Sequence, residues 1–586
     1  MEDSEQSNFR AACIQTGLTI SLAMVALTTP GRQAALQTQS RRDDDMAEWW
    51  RDAVIYQIYP RSFQDSDNDG VGDLKGITRR LPHVKSVGAD AVWLSPIFKS
   101  PMEDMGYDVS DYYAVDPLFG TMDDLERLID TAHDLGLKVI VDQVLSHTSD
   151  KHPWFEESRQ SRDNPKADWY VWADPLPDGS PPNNWVSVFG GPAWEFEPRR
   201  RQYYLHNFLA SQPDLNMHNP EVQDAVLDVM EFWLKKGFDG FRLDTVNYYF
   251  HDPLLRSNPP AEAGSWAMAT SVYGMQKHIY DKTRPENLAF LERMRELCDR
   301  YGEVMMVGEV GEDGDRAIEV MAEYTRGNKR LHMAYSFAML GPDWSAGHFR
   351  RCIEGFRKGA PDGHPSWSFS NHDVPRHASR WAERTGASPD EIARLAVVML
   401  MSFPGTIGIY QGEELGQTQT EMEYHELTDP PALRFWPEEK GRDGCRTPMV
   451  WEHDKPHGGF TEGTPWLPVK APQLARAVDL QEADPDSVLH HYRAVIAHRK
   501  GSLALRYGDC TFWDLPEPIL AFDRRKDGEA MACLFNLGAN EVTIDLGGEA
   551  RVSGPAKAAL DGRRLTLPGW GYATLAHDGD LAPRVA

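Results

Sequence analysis

A (β/α)₈ TIM barrel, interrupted by a subdomain inserted after its third strand and followed by an antiparallel β domain, is the fold this sequence predicts. Three observations predict it. From residue 52 the chain repeats one unit: a short apolar run, a polar loop, then a helix-like stretch. Residues 148–216 break that rhythm with Pro, Trp, Asn and Gly clusters. Beyond about residue 510 the pattern becomes short alternating apolar runs with Gly between them.

The apolar runs are, in order, Ala53–Tyr59, Ala89–Leu94, Leu137–Val141, Gly240–Leu243, Val304–Val307, Met333–Phe337, Trp367–Phe369 and Thr406–Tyr410. Amphipathic segments such as 122–135 and 221–236 lie between several of them. Short β-rich runs alternating with helices imply βαβ units and a parallel sheet, and eight such runs suit a closed barrel. The insertion reads as a subdomain overhanging the barrel mouth, because a long structureless loop is rare inside a compact domain. The expected division is a barrel over 46–147 and 217–509, a subdomain over 148–216 and a β domain over 510–586. Residues 412–470 form a second irregular, charged excursion. The expected β-domain strands include Ile519–Phe522, Ala530–Leu534 and Val542–Leu546.

The 586 residues exceed what one compact core accommodates. A formal charge of −28 repels nucleic acid and anionic lipid, leaving a small neutral or cationic partner. The six cysteines, at 13, 298, 352, 445, 510 and 533, form no CxxC pair. That suits reduced, buried thiols and a cytoplasmic protein. Residues 11–29 are moderately apolar, but Gln15, Thr16, Thr19 and Ser21 interrupt them, and Glu2, Asp3 and Glu5 outweigh Arg10. They make a poor signal peptide and a poor transmembrane helix. Residues 1–45 are read as a disordered extension, with a periplasmic destination as the alternative should they act as a signal. Oligomeric state is not legible.

In a barrel, chemistry belongs at the C-terminal ends of the strands. Four runs end in charged or imidazole residues. The third ends at Asp142, followed by His147; the fourth carries Arg242 and ends at Asp244; the fifth ends at Glu309; the seventh leads to His372 and Asp373. One such Asp is usually a turn former, but several in one barrel converge on a shared pocket.

The segments DQVLSH (142–147), GFRLD (240–244), GE (308–309) and NHD (371–373) resemble the signature regions of glycoside hydrolase family 13, the α-amylase superfamily. QPDLN (212–216) resembles the additional region of its oligo-1,6-glucosidase and α-glucosidase branch. The resemblance implies Asp244 as nucleophile, Glu309 as general acid/base and Asp373 as transition-state stabiliser. Retention of configuration needs the first two about 5–5.5 Å apart. Arg242, two residues before Asp244 on a strand, shares its face and is expected to hold it ionised, and Arg242 and Thr245 are expected among the substrate-binding residues of the pocket. His147 and His372 are expected to bind hydroxyls of the same sugar. Tyr107 is expected to stack on the glucose and Asp104 to bind its terminal hydroxyls, with Arg442 as the arginine that pairs with such an Asp. Phe189 and Phe208 are candidate walls of the neighbouring subsite.

Asp65, Asp67, Asp69 and Asp73 stand at positions 1, 3, 5 and 9 of a loop with Gly70 at 6, resembling a calcium loop. A structural Ca²⁺ or Mg²⁺ is expected there, with the Val71 carbonyl as a further ligand and no catalytic cofactor. The family usually has Asn before His147, but Ser146 stands here. Thr245 follows the nucleophile, where relatives preferring α-1,6 bonds carry Val. The expected activity is therefore exo-acting cleavage of α-1,4 glucosides such as maltose, with sucrose as a further candidate. Transglucosylation uses the same intermediate. Oligo-1,6-glucosidase, sugar isomerase and trehalose synthase activities stay open. A non-enzymatic relative would lack the carboxylates, and all three are present.

Overall fold

The computed structural model describes residues 48–262 and 271–586. The expected extension over 1–45 lies outside the described residues. Within the first of two compact units, Arg51 pairs with Glu48 at 2.6 Å. The second unit, Asp52–Ala586, carries the fold.

Eight parallel strands form its centre: β1 (Val54–Ile58), β2 (Ala91–Leu94), β3 (Lys138–Gln143), β4 (Gly240–Leu243), β5 (Met305–Val310), β6 (Met333–Ser336), β7 (Ser366–Ser368) and β8 (Thr406–Tyr410). Their spatial order is β6-β5-β4-β3-β2-β1-β8-β7. A parallel bridge between Ala334 and Pro365, just ahead of β7, closes the ring. β3 runs through Asp142 and β5 through Glu309, so both carboxylates sit within their strands rather than in the loops after them.

Helices cover the barrel where periodicity and caps agree. α1 (Leu74–Val87) starts at Asp73, whose side chain accepts the Gly76 N–H, and stops at Gly88 in the left-handed region. α2 (Met122–Asp134) starts with a reciprocal capping box between Thr121 and Asp124. α3 (Pro220–Lys235) begins at Asn219 with Pro at its first position, where no N–H is needed. These caps fix where each helix begins.

The segment between β3 and α3 folds a three-stranded antiparallel sheet from Trp172–Ala173, Trp194–Glu197 and Gln202–Leu205. Its own small core includes Trp185, Trp194 and Leu205. An antiparallel bridge from His147 to Asp214 ties its far end back to the end of β3.

After the barrel, one five-stranded and one four-stranded antiparallel sheet follow. The first is centred on a hairpin of β9 (Ile519–Lys526) and β10 (Glu529–Asn536). Its turn residues, Asp527 and Gly528, both have positive φ, the backbone that a tight two-residue hairpin demands. Period-two alternation gives β9 two partners. Leu520 and Phe522 join the main core, while Ile519 and Ala521 pack with Ile544 and Leu565 of the second sheet.

Candidate active site

Strand register assembles the floor of the site. Asp142 on β3 is paired in register with Arg242 on β4, and Glu309 on β5 with Tyr335 on β6. Side chains two apart on a strand share a face, so Asp244 projects on the side of Arg242. Gly308 permits the close strand packing: a Cβ there would lie 2.4 Å from Leu331 Cδ1 and 3.0 Å from Val246 Cγ1.

Arg242 is fully buried and lies beneath the pocket rather than lining it. This corrects its assignment to substrate contact. Its Nη1 donates to Asp142 and to Asp244, each at 2.7 Å, and its Nη2 lies 2.7 Å from Glu309. One cation thus serves three carboxylates. Burial raises the Asp244 pKa, Arg242 opposes it, and Asp142 raises it further. Glu309 is pushed up to about 7, first by burial and against Arg242, with Asp244 and Asp373 adding to the rise. A proton shared within this cluster reduces its surplus negative charge.

Thr245 touches both carboxylates. Its N–H donates to Glu309 Oε2 and its hydroxyl to Asp244 Oδ2, both at 3.1 Å. It sits at φ 40°, unusual for a β-branched residue and a local strain. Ser146 reaches the Thr245 hydroxyl at 3.1 Å and His147 Nδ1 at 2.9 Å.

Asp373 also lines the pocket. Burial works to raise its pKa, but His372, Arg446 and Arg442 overcome this and hold the carboxyl well below the ordinary range. Arg446 donates to it at 3.0 Å and Arg442 at 3.4 Å. His372 is stacked between Tyr59 and Tyr107 and meets the Tyr107 hydroxyl at 2.6 Å. Burial lowers the pKa of His372, against Asp373, and takes His147 down to about 4, so the His147 ring is neutral at physiological pH.

One end of the pocket is closed by an ion pair. Arg442 Nη2 donates to Asp104 at 2.8 Å and to Asp429 at 2.6 Å. Gln212, from the inserted segment, donates to the other Asp104 oxygen at 3.1 Å. The Arg442 guanidinium also lies over Phe189, 5.1 Å from the ring centre. From there an aromatic wall runs through Phe208 to Tyr248. The enclosed space is about 210 Å³. Asp104, Tyr107, His147, Phe189, Phe208, Asp244, Thr245, Glu309, His372, Asp373 and Arg442 all face it. Of the pocket residues expected from sequence, Arg242 alone does not.

Sequence reasoning missed Gln212, Tyr248, Tyr335, Asp429 and Arg446. Arg446 carried a signal, four residues after Arg442 and hence one helical turn on. Asp429 carried none, since only the folded excursion after β8 brings it to Arg442.

In the acidic loop, carboxylate oxygens of Asp65, Asp67 and Asp73 lie within 4.8 Å of one another. Asp69 is not in that group: its Oδ1 accepts the Val71 N–H at 2.8 Å. The loop's amides converge on Asp65, which accepts N–H bonds from Asp67, Asn68 and Gly70. A Cβ at Gly70 would lie 1.9 Å from the Thr464 carbonyl oxygen, so the tight path admits only glycine. A close, all-oxygen donor set on a rigid loop fits a hard divalent cation.

The α-amylase catalytic-domain model matches residues 57–508. The chain belongs to the α-amylase family. Within it, the chain is 55% identical over 504 residues to a probable α-glucosidase of Rhizobium meliloti (strain 1021), covering 85% of this chain and 91% of the relative. An oligo-1,6-glucosidase of Heyndrickxia coagulans is 37% identical, covering 85% and 94%. Among solved members, an α-glucosyl transfer enzyme, XgtA, superposes with a TM-score of 0.87 at 51% identity, covering 90% of this chain and 99% of that one. A trehalulose synthase from Pseudomonas mesoacidophila MX-45 gives 0.81 at 31% identity, covering 90% and 99%. This α-amylase family member is therefore a glycoside hydrolase of the α-glucosidase and oligo-1,6-glucosidase group.

Proposed function

We propose that the protein is a retaining, exo-acting α-glucosidase that releases single glucose units from α-1,4-linked disaccharides and short oligosaccharides. The Arg442–Asp104 ion pair carries this reading: both residues line the pocket, Arg442 also reaches Asp373, and the pair is proposed to wall off the glucose site beside the carboxylates. A chain can enter only by its non-reducing end.

In the proposed reaction, the Asp244 carboxylate attacks the anomeric carbon as Glu309 gives its proton to the departing glycosidic oxygen. The leaving sugar departs as a neutral alcohol, and glucose stays as an ester on Asp244. Glu309, now ionised, takes a proton from water as that water attacks the same carbon. Free α-glucose leaves and both carboxyl groups return to their starting states. Asp373, held anionic by Arg446 and Arg442, favours the positive charge that builds on the ring. Asp65, Asp67 and Asp73 are proposed to hold a Ca²⁺ or Mg²⁺ ion whose contribution is stability.

Thr245 supports α-1,4 over α-1,6 linkages. A second reading, transfer of glucose to another sugar, is favoured by the 51% identity with the α-glucosyl transfer enzyme. The test is a panel of maltose, isomaltose, sucrose, trehalose, starch and p-nitrophenyl α-glucoside, with products followed by NMR. Maltose cleaved fastest with α-glucose released is the expected result. Faster isomaltose cleavage overturns the linkage, and inactivity on the whole panel overturns the function.

A further inference from the structure

Behind the pocket wall that Tyr248 and Gly311 form lies a buried ammonium group. Lys282 belongs to the stretch between β4 and the helix Asn287–Asp299 and is 5% exposed. Its Nζ donates to the Gly311 carbonyl at 2.6 Å and to the Tyr248 hydroxyl at 3.4 Å, and lies 3.5 Å from Glu312. Tyr248 and Gly311 both line the pocket, whereas Lys282 does not.

We propose that Lys282 is a positioning residue for the leaving-group side of the pocket, acting through Tyr248 and Gly311. This rests on the α-glucosidase reading above. The side follows from chemistry. The acid must stand beside the departing oxygen, and Gly311 is two residues past Glu309 on the same strand end. The closed end at Asp104 is where the glucose terminates. Whatever sugar leaves must therefore lie against Tyr248 and Gly311.

The contacts form a clamp. The Gly311 N–H donates to Asn247 Oδ1 at 2.8 Å while its carbonyl takes the Lys282 ammonium. A Cβ on residue 311 would lie 3.0 Å from Tyr248 Cε2, so the Tyr248 ring packs directly on this backbone. The Tyr248 hydroxyl is held from its other side by Tyr273 at 2.6 Å. The ammonium also lies 5.2 Å from the Tyr248 ring centre and 5.6 Å from that of Tyr273. Burial works against its charge, but Tyr248, Glu312 and Asp281 raise its pKa. Hydrogen bonds from a buried cation are stronger than neutral ones, so losing this one frees both wall elements together.

The test compares two substrates sharing a glycone in Lys282→Met and Lys282→Arg. α-Glucosyl fluoride places no sugar on the leaving-group side; the second substrate is the disaccharide that the wild type cleaves best. In Lys282→Met, kcat/KM for the disaccharide is expected to fall at least about fivefold relative to that for the fluoride. Lys282→Arg, which restores a cationic donor, should recover most of the ratio. Tyr248→Phe, which removes the clamped hydroxyl while leaving the lysine and its bond to Gly311 in place, should shift the ratio the same way. Parallel losses on both substrates, or an unchanged ratio, overturn the proposal. A wild type that cleaves neither substrate overturns the α-glucosidase reading instead.

Discussion

Arg442 donates to Asp104 at 2.8 Å across 338 positions of sequence. The same guanidinium reaches Asp429 and Asp373, so one side chain both closes the pocket and helps keep the stabilising carboxylate ionised. Arg442→Ala should therefore damage binding and chemistry together. Truncating one member of a buried charge cluster costs about 3–5 kcal/mol. The expected fall in kcat/KM for the preferred disaccharide is at least about 10²-fold. A loss below tenfold would mean the pair does not close the glucose site.

Asp244→Ala should lower turnover by at least about 10⁴-fold. Added azide can occupy the space of the lost carboxylate and attack the same face of the anomeric carbon. With an aryl α-glucoside it should restore turnover and yield β-glucosyl azide, detectable by NMR. Rescue giving the α-azide would assign nucleophile and acid the other way round.

Glu309 and Asp244 share Arg242, and the activity profile should show two limbs belonging to the pair. The alkaline limb should fall near pH 7, as Glu309 loses the proton that it must donate. Stability follows the same sign. A carboxyl whose folded pKa is raised stabilises the fold fully below its unfolded value and loses that contribution as pH rises through about 7. Glu309→Gln, neutral throughout, should thus raise the melting temperature more at pH 8 than at pH 5. Equal shifts at both would show that Glu309 does not carry the proton.

Chelation should lower the melting temperature without lowering kcat in samples held below the transition, and added Ca²⁺ or Mg²⁺ should restore it. A cation at 100 times its Kd stabilises by about 2.7 kcal/mol. Asp65→Asn should abolish the response, whereas Asp69→Asn should leave much of it, since Asp69 stands outside the close trio.

Thr245→Val keeps the shape of the side chain but removes the hydroxyl that donates to Asp244. The ratio of maltose to isomaltose cleavage should fall, by about tenfold or less for so small a change. A ratio that rises would remove Thr245 from the choice of linkage.

The barrel strands were legible because each is a short apolar run bounded by a polar loop. Strand ends are less so: the apolar runs Leu137–Val141 and Val304–Val307 lead to Asp142 and Glu309 as strand ends, whereas the strands continue through both to Gln143 and Val310, since a charged residue marks a strand's end until a buried partner such as Arg242 is known. Asp244, Glu309, His372 and Asp373 stand at strand ends within quotable motifs. Gln212 opens the quotable QPDLN segment but stands on no strand end, and Asp429 and Lys282 stand in no motif, because all three come from excursions that only folding returns to the pocket. The demotion of Arg242 to the floor has a related cause: sequence spacing shows which face a side chain takes, but not how deep it lies.

A pocket with a closed end has one door, and this sets the order of departures. The leaving sugar stands between the trapped glucose and solvent, so it must go before water can arrive. Glucose is always last out. Until it goes, no new substrate can seat its terminal unit against Asp104. Free glucose should therefore compete with substrate, and accumulating product acts as a brake on the enzyme that made it.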